Sequence, residues 1–168
     1  MKSPETEALS EKIAAALRER GATLAVAESC TGGLLAGAIT EIAGASAFFR
    51  GGAVTYATAL KTEILGVPAE LIARRGVVSA ECAEAMARGA AKKFGATFAL
   101  STTGFAGPGG GTDDAPVGTV FLGLHTPSGT RSRRFFAAPQ SASGTPPSRA
   151  EVRRRAVVAA LEFLAETL

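Results

Sequence analysis

Residues 25–34 constrain the fold of this chain more than any other segment. They read Ala-Val-Ala-Glu-Ser-Cys-Thr-Gly-Gly-Leu, an apolar run that ends in polar residues and two glycines. A run this short and apolar predicts a buried strand over residues 23–27. Apolar residues then recur at helical spacing as far as Ile42, and Gly44 is placed to end that helix. Residues 29–33 are therefore expected to form a turn between a strand and a helix.

The predicted turn combines a hydroxyl group with backbone donors. Ser29 supplies a side-chain oxygen, and the first turn of a helix leaves backbone N–H groups without intrahelical partners. The two glycines let a ligand approach the backbone closely. Such a turn can bind a phosphate, or it can stabilise the oxyanion formed when Ser29 attacks a carbonyl. The alternative is structural, with Ser29 or Thr31 acting only as the helix cap.

The remaining segments predict an α/β domain. Helices are expected after the caps Ser3, Thr58 and Ser79, from Pro68 onwards, and after the capping box Ser148-Arg-Ala-Glu151. Strands are expected over residues 53–57, 97–103, 119–126 and 130–137, with a polar loop over residues 139–147. Residues 127–129 predict a hairpin that adds an antiparallel pair to βα-type units. We expect one domain over residues 1–168, a three-layer α/β/α sandwich on a mixed sheet.

Composition excludes several classes of function. The chain has 168 residues and two cysteines, with no signal peptide and no apolar run long enough for a membrane span, so a cytoplasmic protein without disulfides is expected. A net charge of +3 without a nucleic-acid-binding motif predicts no nucleic-acid partner. His125 is the only histidine, which makes a Ser-His-Asp triad improbable and excludes a histidine-based metal site. No metal and no cofactor are expected.

A serine nucleophile in this chain needs a base other than histidine. A lysine can serve when burial or neighbouring positive charge lowers its pKa. Lys61, with Tyr56 five residues earlier, is the best candidate, since both follow a predicted strand and residues at strand ends gather around the crevice of an open α/β sheet. On spacing alone, Lys61 can equally be a surface lysine.

A second candidate ligand-binding element is the glycine-rich loop over residues 104–118. Successive backbone N–H groups in such loops form anion-binding nests, but this loop lacks the Gly-Lys-Ser/Thr ending of a P-loop. Asp113 and Asp114 can hold a cation or polar ligand groups, or they can simply form a turn.

Five ordered motifs resemble the CinA C-terminal domain family. They are Ala27-Glu-Ser-Cys-Thr-Gly-Gly33, Val54-Thr-Tyr56 with Lys61, Gly76-Val-Val-Ser79, Thr103-Gly-Phe-Ala-Gly-Pro108 and Pro116-Val-Gly118. The family includes nicotinamide-nucleotide amidases. The resemblance implies metal-free hydrolysis of the carboxamide of nicotinamide mononucleotide to nicotinate mononucleotide and ammonia. It assigns Ser29 as the nucleophile and Tyr56 and Lys61 as its activators.

The same resemblance suggests which residues contact substrate. The candidate substrate-binding residues are Thr31, Gly32, Gly33, Thr103, Gly104, Gly107, Gly109, Gly110 and Arg149. The chain departs from the common family pattern at Ala115, where lysine is frequent, and at Pro147-Ser148, where Gly-Asp is frequent. The expected partner is a small-molecule nucleotide, and no membrane association is expected. The sequence leaves open whether the protein forms a homo-oligomer such as a dimer.

Two alternatives concern the function and the nucleophile. The chain can also be a non-catalytic nucleotide-binding domain, or a partner-binding module linked to competence or DNA damage. Cys30 is intrinsically a stronger nucleophile than Ser29, but neighbouring residues that leave a strand point in different directions. We therefore expect Ser29 to face the cleft and Cys30 to pack inside.

Overall fold

The computed structural model describes residues 4–137 and 146–168. The helices are α1 Pro4–Glu19, α2 Leu34–Thr40, α3 Thr58–Leu65, α4 Ala69–Arg75, α5 Ala80–Phe94 and α6 Arg149–Ala165, with a 3₁₀ turn at Ala45–Ala47. The strands are β1 Leu24–Glu28, β2 Phe49–Val54, β3 Phe98–Gly104, β4 Thr119–Thr126 and β5 Gly129–Phe136.

The five strands form one mixed sheet in the order β2-β1-β3-β4-β5. β1 pairs in parallel with both β2 and β3, whereas β4 and β5 continue the sheet as an antiparallel hairpin. The predicted hairpin and mixed sheet are therefore confirmed.

Helices cover both faces of the sheet, as predicted for a three-layer α/β/α sandwich. Leu24 and Val26 of β1 pack on one face in a large apolar cluster that includes residues of α1, α2 and α6. Ala25 and Ala27 point to the other face, where the cluster is built from α3, α4 and α5. Because side chains alternate along a strand, residues that directly follow β1 also point to opposite faces of the sheet.

Close packing fixes the helix that carries Lys61. Gly89 of α5 lies against the end of α3, where an added Cβ would be 2.1 Å from the carbonyl oxygen of Leu65. Only glycine allows this approach. α3 is thereby held against α5 on the same face of the sheet as Ala25 and Ala27.

Several predicted boundaries are wrong by a few residues. The second strand was predicted over residues 53–57, but β2 spans Phe49–Val54, because Gly51 and Gly52 belong to the strand itself. Gly52 pairs with Val26, and an added Cβ would lie 2.4 Å from the Cγ2 of Val26. Gly52 thus permits close approach of β1 and β2, whereas the predicted strand began only after the two glycines.

The predicted caps have mixed outcomes. Ser79 and Ser148 cap α5 and α6 through their side chains, as expected. Thr58 is the first residue of α3, and its predicted cap is wrong because Ala57 occupies the cap position without a side-chain hydrogen bond. The predicted cap Ser3 and most of the predicted loop at 139–147 lie outside the described residues. In the described part of the chain, no helix combines the length and the apolar character that crossing a membrane requires.

Candidate active site

The predicted site residues gather at the carboxyl ends of β1 and β3. These strands are parallel neighbours, and the chain leaves β1 towards β2 but leaves β3 towards β4. Connections that depart in opposite directions open a crevice between two strands of an α/β sheet, and such crevices bind ligands. Ser29 follows β1 directly, and the glycine-rich loop follows β3.

Ser29 and Lys61 are in direct contact. Lys61 Nζ donates to Ser29 Oγ at 3.1 Å and to the carbonyl oxygen of Thr55 at 2.6 Å. Lys61 is only 1% exposed, so it is not a surface lysine. Ser29 continues the side of β1 that carries Ala25 and Ala27, which is the face covered by α3. The structure thus brings together the predicted nucleophile and its predicted base.

Burial changes the acidity of Lys61. Removal from water lowers the pKa of its amine below the ordinary value of 10.5. Among the described residues, no carboxylate forms an ion pair with Lys61, and its two acceptors are a hydroxyl and a carbonyl. Without a negative partner, the charged amine is not compensated, which increases the neutral fraction that can accept a proton.

Tyr56 lies at the edge of this arrangement. Its hydroxyl accepts a hydrogen bond from Arg149 at 2.7 Å, and its side chain is 58% exposed. Arg149 also donates to the carbonyl oxygen of Gly107 at 2.8 Å, which connects α6 to the glycine-rich loop. No hydrogen bond joins Tyr56 to Ser29 or Lys61 within the described residues. The role of Tyr56 as an activator of Ser29 stays a prediction.

Glu28 is a structural residue of this turn that the sequence reasoning missed. Its buried carboxylate accepts hydrogen bonds from the backbone N–H groups of Gly33, Leu35 and Ala36, at 2.9, 3.1 and 2.8 Å. It also accepts from the hydroxyl of Thr31 at 2.6 Å. A signal was available, because Glu28 directly follows the predicted strand and precedes the helix, and carboxylates are favourable partners for N–H groups at a helix start.

The contacts of Glu28 correct the prediction for this turn. The first-turn N–H groups of α2 were expected to be free for a phosphate or an oxyanion, but the Glu28 carboxylate already occupies three of the N–H groups at the start of this helix. The N–H of Gly32 donates to the carbonyl oxygen of Ser29 at 3.1 Å. Gly33 and Gly32 therefore cannot offer these donors to a substrate.

Thr31 also differs from its predicted role. Its side chain is fully buried and hydrogen-bonds Thr102 of β3 at 2.7 Å as well as Glu28. Neither Ser29 nor Thr31 caps α2 through its side chain, since Gly33 occupies the cap position. The hydroxyl of Thr31 therefore holds the turn to the sheet, and the fully buried residue offers no surface to a ligand.

The glycine-rich loop contributes unevenly. Thr103 donates to the carbonyl oxygen of Val77 at 2.6 Å, and Gly104 is required by packing, since an added Cβ would lie 2.6 Å from the carbonyl oxygen of Thr119. Gly107 reaches Arg149, whereas Gly109 and Gly110 are exposed. The structure thus links Gly107 to α6 through Arg149, and it leaves Gly109 and Gly110 open to solvent.

Cys30 packs on the opposite side of β1 from Ser29. It is 5% exposed and belongs to the cluster with Leu24 and Val26. Burial raises the pKa of its thiol to about 11, so the thiolate is scarce at neutral pH. The expectation that Cys30 is packed inside is confirmed.

No group of three or more histidine, cysteine, aspartate or glutamate side chains able to hold a metal ion occurs among the described residues. Asp113 and Asp114 are exposed in the loop, and Asp114 uses its carbonyl oxygen to accept from Arg134. The arrangement can perform nucleophilic chemistry at Ser29 with Lys61 as its proton acceptor.

Comparison with known proteins identifies one family over nearly the whole chain. The model of the CinA C-terminal domain matches residues 6–168. A CinA-like protein of Citrifermentans bemidjiense is 54% identical over 129 residues, which are 77% of this chain and 31% of that protein. A CinA-like protein of Mycobacterium sp. (strain JLS) is 47% identical over 161 residues, which are 94% of this chain and 35% of that protein. The chain thus spans about a third of the length of these curated relatives.

Solved structures match over almost their full length. The competence/damage-inducible protein CihA from Agrobacterium tumefaciens has a TM-score of 0.89 and 39% identity, covering 98% of this chain and 96% of that one. A protein of the competence-damaged protein (CinA) superfamily from Escherichia coli has a TM-score of 0.89 and 30% identity, covering 100% and 94%. The fold described above is therefore shared with these proteins.

Proposed function

The chain belongs to the CinA C-terminal domain family, and on that premise we propose that it hydrolyses the carboxamide of nicotinamide mononucleotide to nicotinate mononucleotide and ammonia. The observation that carries the proposal is the 3.1 Å contact between Ser29 Oγ and the buried amine of Lys61. A domain that only bound a nucleotide would not need a buried lysine against a serine.

The proposed reaction begins with a proton transfer. Neutral Lys61 takes the hydroxyl proton of Ser29 while its N–H remains held by the carbonyl oxygen of Thr55. Ser29 Oγ then bonds to the amide carbon, and the π electrons of the carbonyl move onto its oxygen. Collapse of this intermediate breaks the C–N bond, and the Lys61 ammonium protonates the departing nitrogen to give ammonia.

A water molecule completes the cycle. Lys61, neutral again, accepts a proton from water, whose oxygen attacks the ester formed with Ser29. Collapse of the second intermediate releases the carboxylate product and returns the proton to Ser29. The same amine serves as base and acid in both halves, which requires a pKa below that of an ordinary lysine. Burial supplies this lowering.

Arg149 supports the choice of a nucleotide as substrate. Its two acceptors are neutral, the Tyr56 hydroxyl and the carbonyl oxygen of Gly107, and no carboxylate of the described residues forms an ion pair with it. Its positive charge is therefore available to an anionic ligand near Tyr56 and the glycine-rich loop. A guanidinium offers donors matched to phosphate oxygens.

Ammonia release tests the proposal. The purified protein is incubated with nicotinamide mononucleotide, nicotinamide riboside or free nicotinamide, and ammonia is measured over time. We expect turnover of the mononucleotide and much slower turnover of the two compounds that lack the phosphate. Ser29→Ala serves as the control for contaminating amidases, and Ser128→Ala in the exposed hairpin as the matched variant. Ammonia release that persists in Ser29→Ala, or its absence with all three compounds, would contradict the proposal.

A further inference from the structure

Gly89 is an unexpected residue for the middle of α5. The helix is otherwise rich in alanine, and glycine is less favourable than alanine inside a helix. The φ angle of Gly89 is not positive, so its backbone conformation does not call for glycine. Its neighbour does, because an added Cβ would lie 2.9 Å from the Cβ of Leu65 and closer still to the carbonyl oxygen of Leu65. Gly89 therefore serves the close approach of α3 to α5.

α5 is itself fixed to the sheet. Ser101 of β3 donates to the carbonyl oxygen of Ala83 in α5 at 2.6 Å. Gly123 of β4 lies against the same residue, where an added Cβ would be 2.6 Å from the carbonyl carbon of Ala83. By contrast, α3 has only eight residues and no side-chain cap at its start. An atom added between the two helices would therefore displace α3 rather than α5.

Such a displacement would reach Lys61. Leu65 lies four residues after Lys61, so the two side chains share one face of α3, and they are the buried residues of this helix. The N–H of Val67 donates to the carbonyl oxygen of Lys61 at 3.1 Å, which ties the chain after the helix to the residue that carries the amine. The face of α3 that packs on α5 is therefore the face that presents Lys61 to Ser29.

The contacts of Lys61 leave little tolerance for movement. Its Nζ lies 3.1 Å from Ser29 Oγ and 2.6 Å from the carbonyl oxygen of Thr55, and the residue is 1% exposed. To clear a Cβ added to Gly89, α3 would have to move by about 1 Å, since carbon atoms in contact are about 3.5–4.0 Å apart. A hydrogen bond that starts at 3.1 Å does not survive such a shift.

We propose that Gly89 is a positioning residue, which admits α3 so close to α5 that the Lys61 amine is held within hydrogen-bond distance of Ser29 Oγ. Gly89 touches neither the substrate nor Ser29, and it acts through Leu65 and α3. The inference rests on the proposed function for its substrate, but the same positioning serves any reaction in which Lys61 activates Ser29.

Gly89→Ala tests this role, with Gly37→Ala as the matched control. Gly37 lies in α2 on the opposite face of the sheet, and a Cβ added there would meet no atom within 4 Å. Both substitutions replace a helical glycine by alanine, so they improve helix propensity to a similar extent. A misplacement of about 1 Å can cost about 10²-fold in rate. We expect kcat of Gly89→Ala to fall by about that factor with KM little changed, and Gly37→Ala to behave as wild type.

The pH profile distinguishes positioning from a loss of stability. Burial lowers the pKa of Lys61, and the titratable groups that interact with it are the buried thiols of Cys82 and Cys30. Movement of α3 away from α5 would expose the amine to water and raise its pKa towards 10.5, so the acid limb of kcat/KM should move to higher pH in Gly89→Ala. A merely structural role would lower the thermal midpoint and the active fraction but leave this limb in place. An acid limb at its wild-type position would overturn the inference.

Ile64→Ala covers the case in which Gly89→Ala does not fold. Ile64 is a half-buried residue of α3 that packs against the same apolar cluster as Leu65. Its truncation loosens the contact of α3 with α5 without adding atoms, so the acid limb should shift in the same direction by a smaller amount. If Gly89→Ala is unfolded and the acid limb of Ile64→Ala stays at the wild-type position, the inference fails.

Labelling of Ser29 separates this inference from the proposed substrate. Diisopropyl fluorophosphate reacts with activated serines, since the serine oxygen bonds to phosphorus and displaces fluoride while the base takes the hydroxyl proton. Intact mass follows the reaction, and we expect slower labelling of Gly89→Ala than of wild type and of Gly37→Ala. Labelling of wild type without turnover of nicotinamide mononucleotide would reject the proposed function alone. Turnover and labelling that are both unaffected in Gly89→Ala would reject the role of Gly89 alone.

Discussion

Two buried ionisable side chains flank the turn between β1 and α2, and their surroundings differ. The Glu28 carboxylate receives four hydrogen bonds, three of them from backbone N–H groups at the start of α2. The Lys61 amine on the other face of β1 contacts one hydroxyl and one carbonyl, and no carboxylate of the described residues. The Glu28 oxygens are thus surrounded by hydrogen-bond donors, whereas the Lys61 amine is buried without a counter-charge.

This difference assigns a structural role to Glu28 and a proton-transfer role to Lys61. A buried carboxylate that accepts several hydrogen bonds holds helix, turn and strand in one geometry. A buried amine without a counter-charge has a lowered pKa, so a larger fraction of it is neutral and can accept a proton. Ser29 lies between the two, on a backbone held through Glu28 and beside the amine of Lys61.

The largest effect is expected from Ser29→Ala, which removes the proposed nucleophile. Removing a serine nucleophile lowers kcat by about 10⁴–10⁶-fold in enzymes of this kind. Ser29 is only partly buried, so the thermal midpoint should change little. Ammonia release and a thermal melt on the same preparation check this. A variant that keeps wild-type turnover would remove Ser29 from the reaction.

Lys61→Arg should be nearly as damaging as Lys61→Ala, with a loss of about 10²–10⁴-fold in kcat. A guanidinium keeps the positive charge but cannot give up its proton at any pH of the assay. Lys92→Arg, on α5 and exposed, is the matched control. Full activity of Lys61→Arg would show that charge rather than proton transfer is what this position supplies.

The pH profile sharpens the same comparison. Lys61 must be neutral to act as a base, and its pKa is lowered from 10.5 by burial. The value of kcat/KM should therefore be high above this lowered pKa, and it should fall about tenfold per pH unit below it. The midpoint of this acid limb should lie clearly below 10.5. A profile that is flat through this region would contradict the assignment.

Glu28→Gln tests the structural role of Glu28, and its expected effect is on the stability of the fold. The glutamine amide offers one acceptor oxygen and places an NH₂ group against backbone donors, which leaves buried N–H groups unpaired. We expect a loss of about 2–4 kcal/mol in the free energy of unfolding, or roughly 5–15 °C in the thermal midpoint. Glu63→Gln on the exposed side of α3 is the control. Equal melting of the two variants would show that Glu28 does not stabilise the turn.

The smallest effect is expected from Cys30→Ala. The thiol is buried on the face opposite Ser29, so turnover should stay within about threefold of wild type. With a pKa of about 11, about one thiol in a thousand is ionised at pH 8, and iodoacetamide should react slowly with the folded protein. Unfolded protein, in which both cysteines react, provides the reference. An inactive but folded Cys30→Ala would move the nucleophile to Cys30.

Local patterns in the chain predicted most of the fold. Short apolar runs, helical spacing and turn residues anticipated the mixed sheet, the hairpin and the caps Ser79 and Ser148. Errors arose at Gly51 and Gly52, because a glycine pair has the same appearance in a turn and in a strand that approaches its neighbour closely. The burial of Lys61 was also beyond local patterns, since it depends on Gly89 and the packing of α3 against α5.

The order of residues by itself determined that Ser29 follows a buried strand and precedes a helix, and that Ser29 and Cys30 must face opposite ways. Period-two alternation along a strand makes this a local property. Only the tertiary structure decided that Glu28 occupies the start of α2, that Lys61 reaches Ser29, and that Arg153 of α6 donates to the carbonyl oxygen of Cys30. These contacts join residues from different elements, and Arg153 lies 123 positions from Cys30. Their geometry is set by how helices pack on the sheet, which no single segment contains.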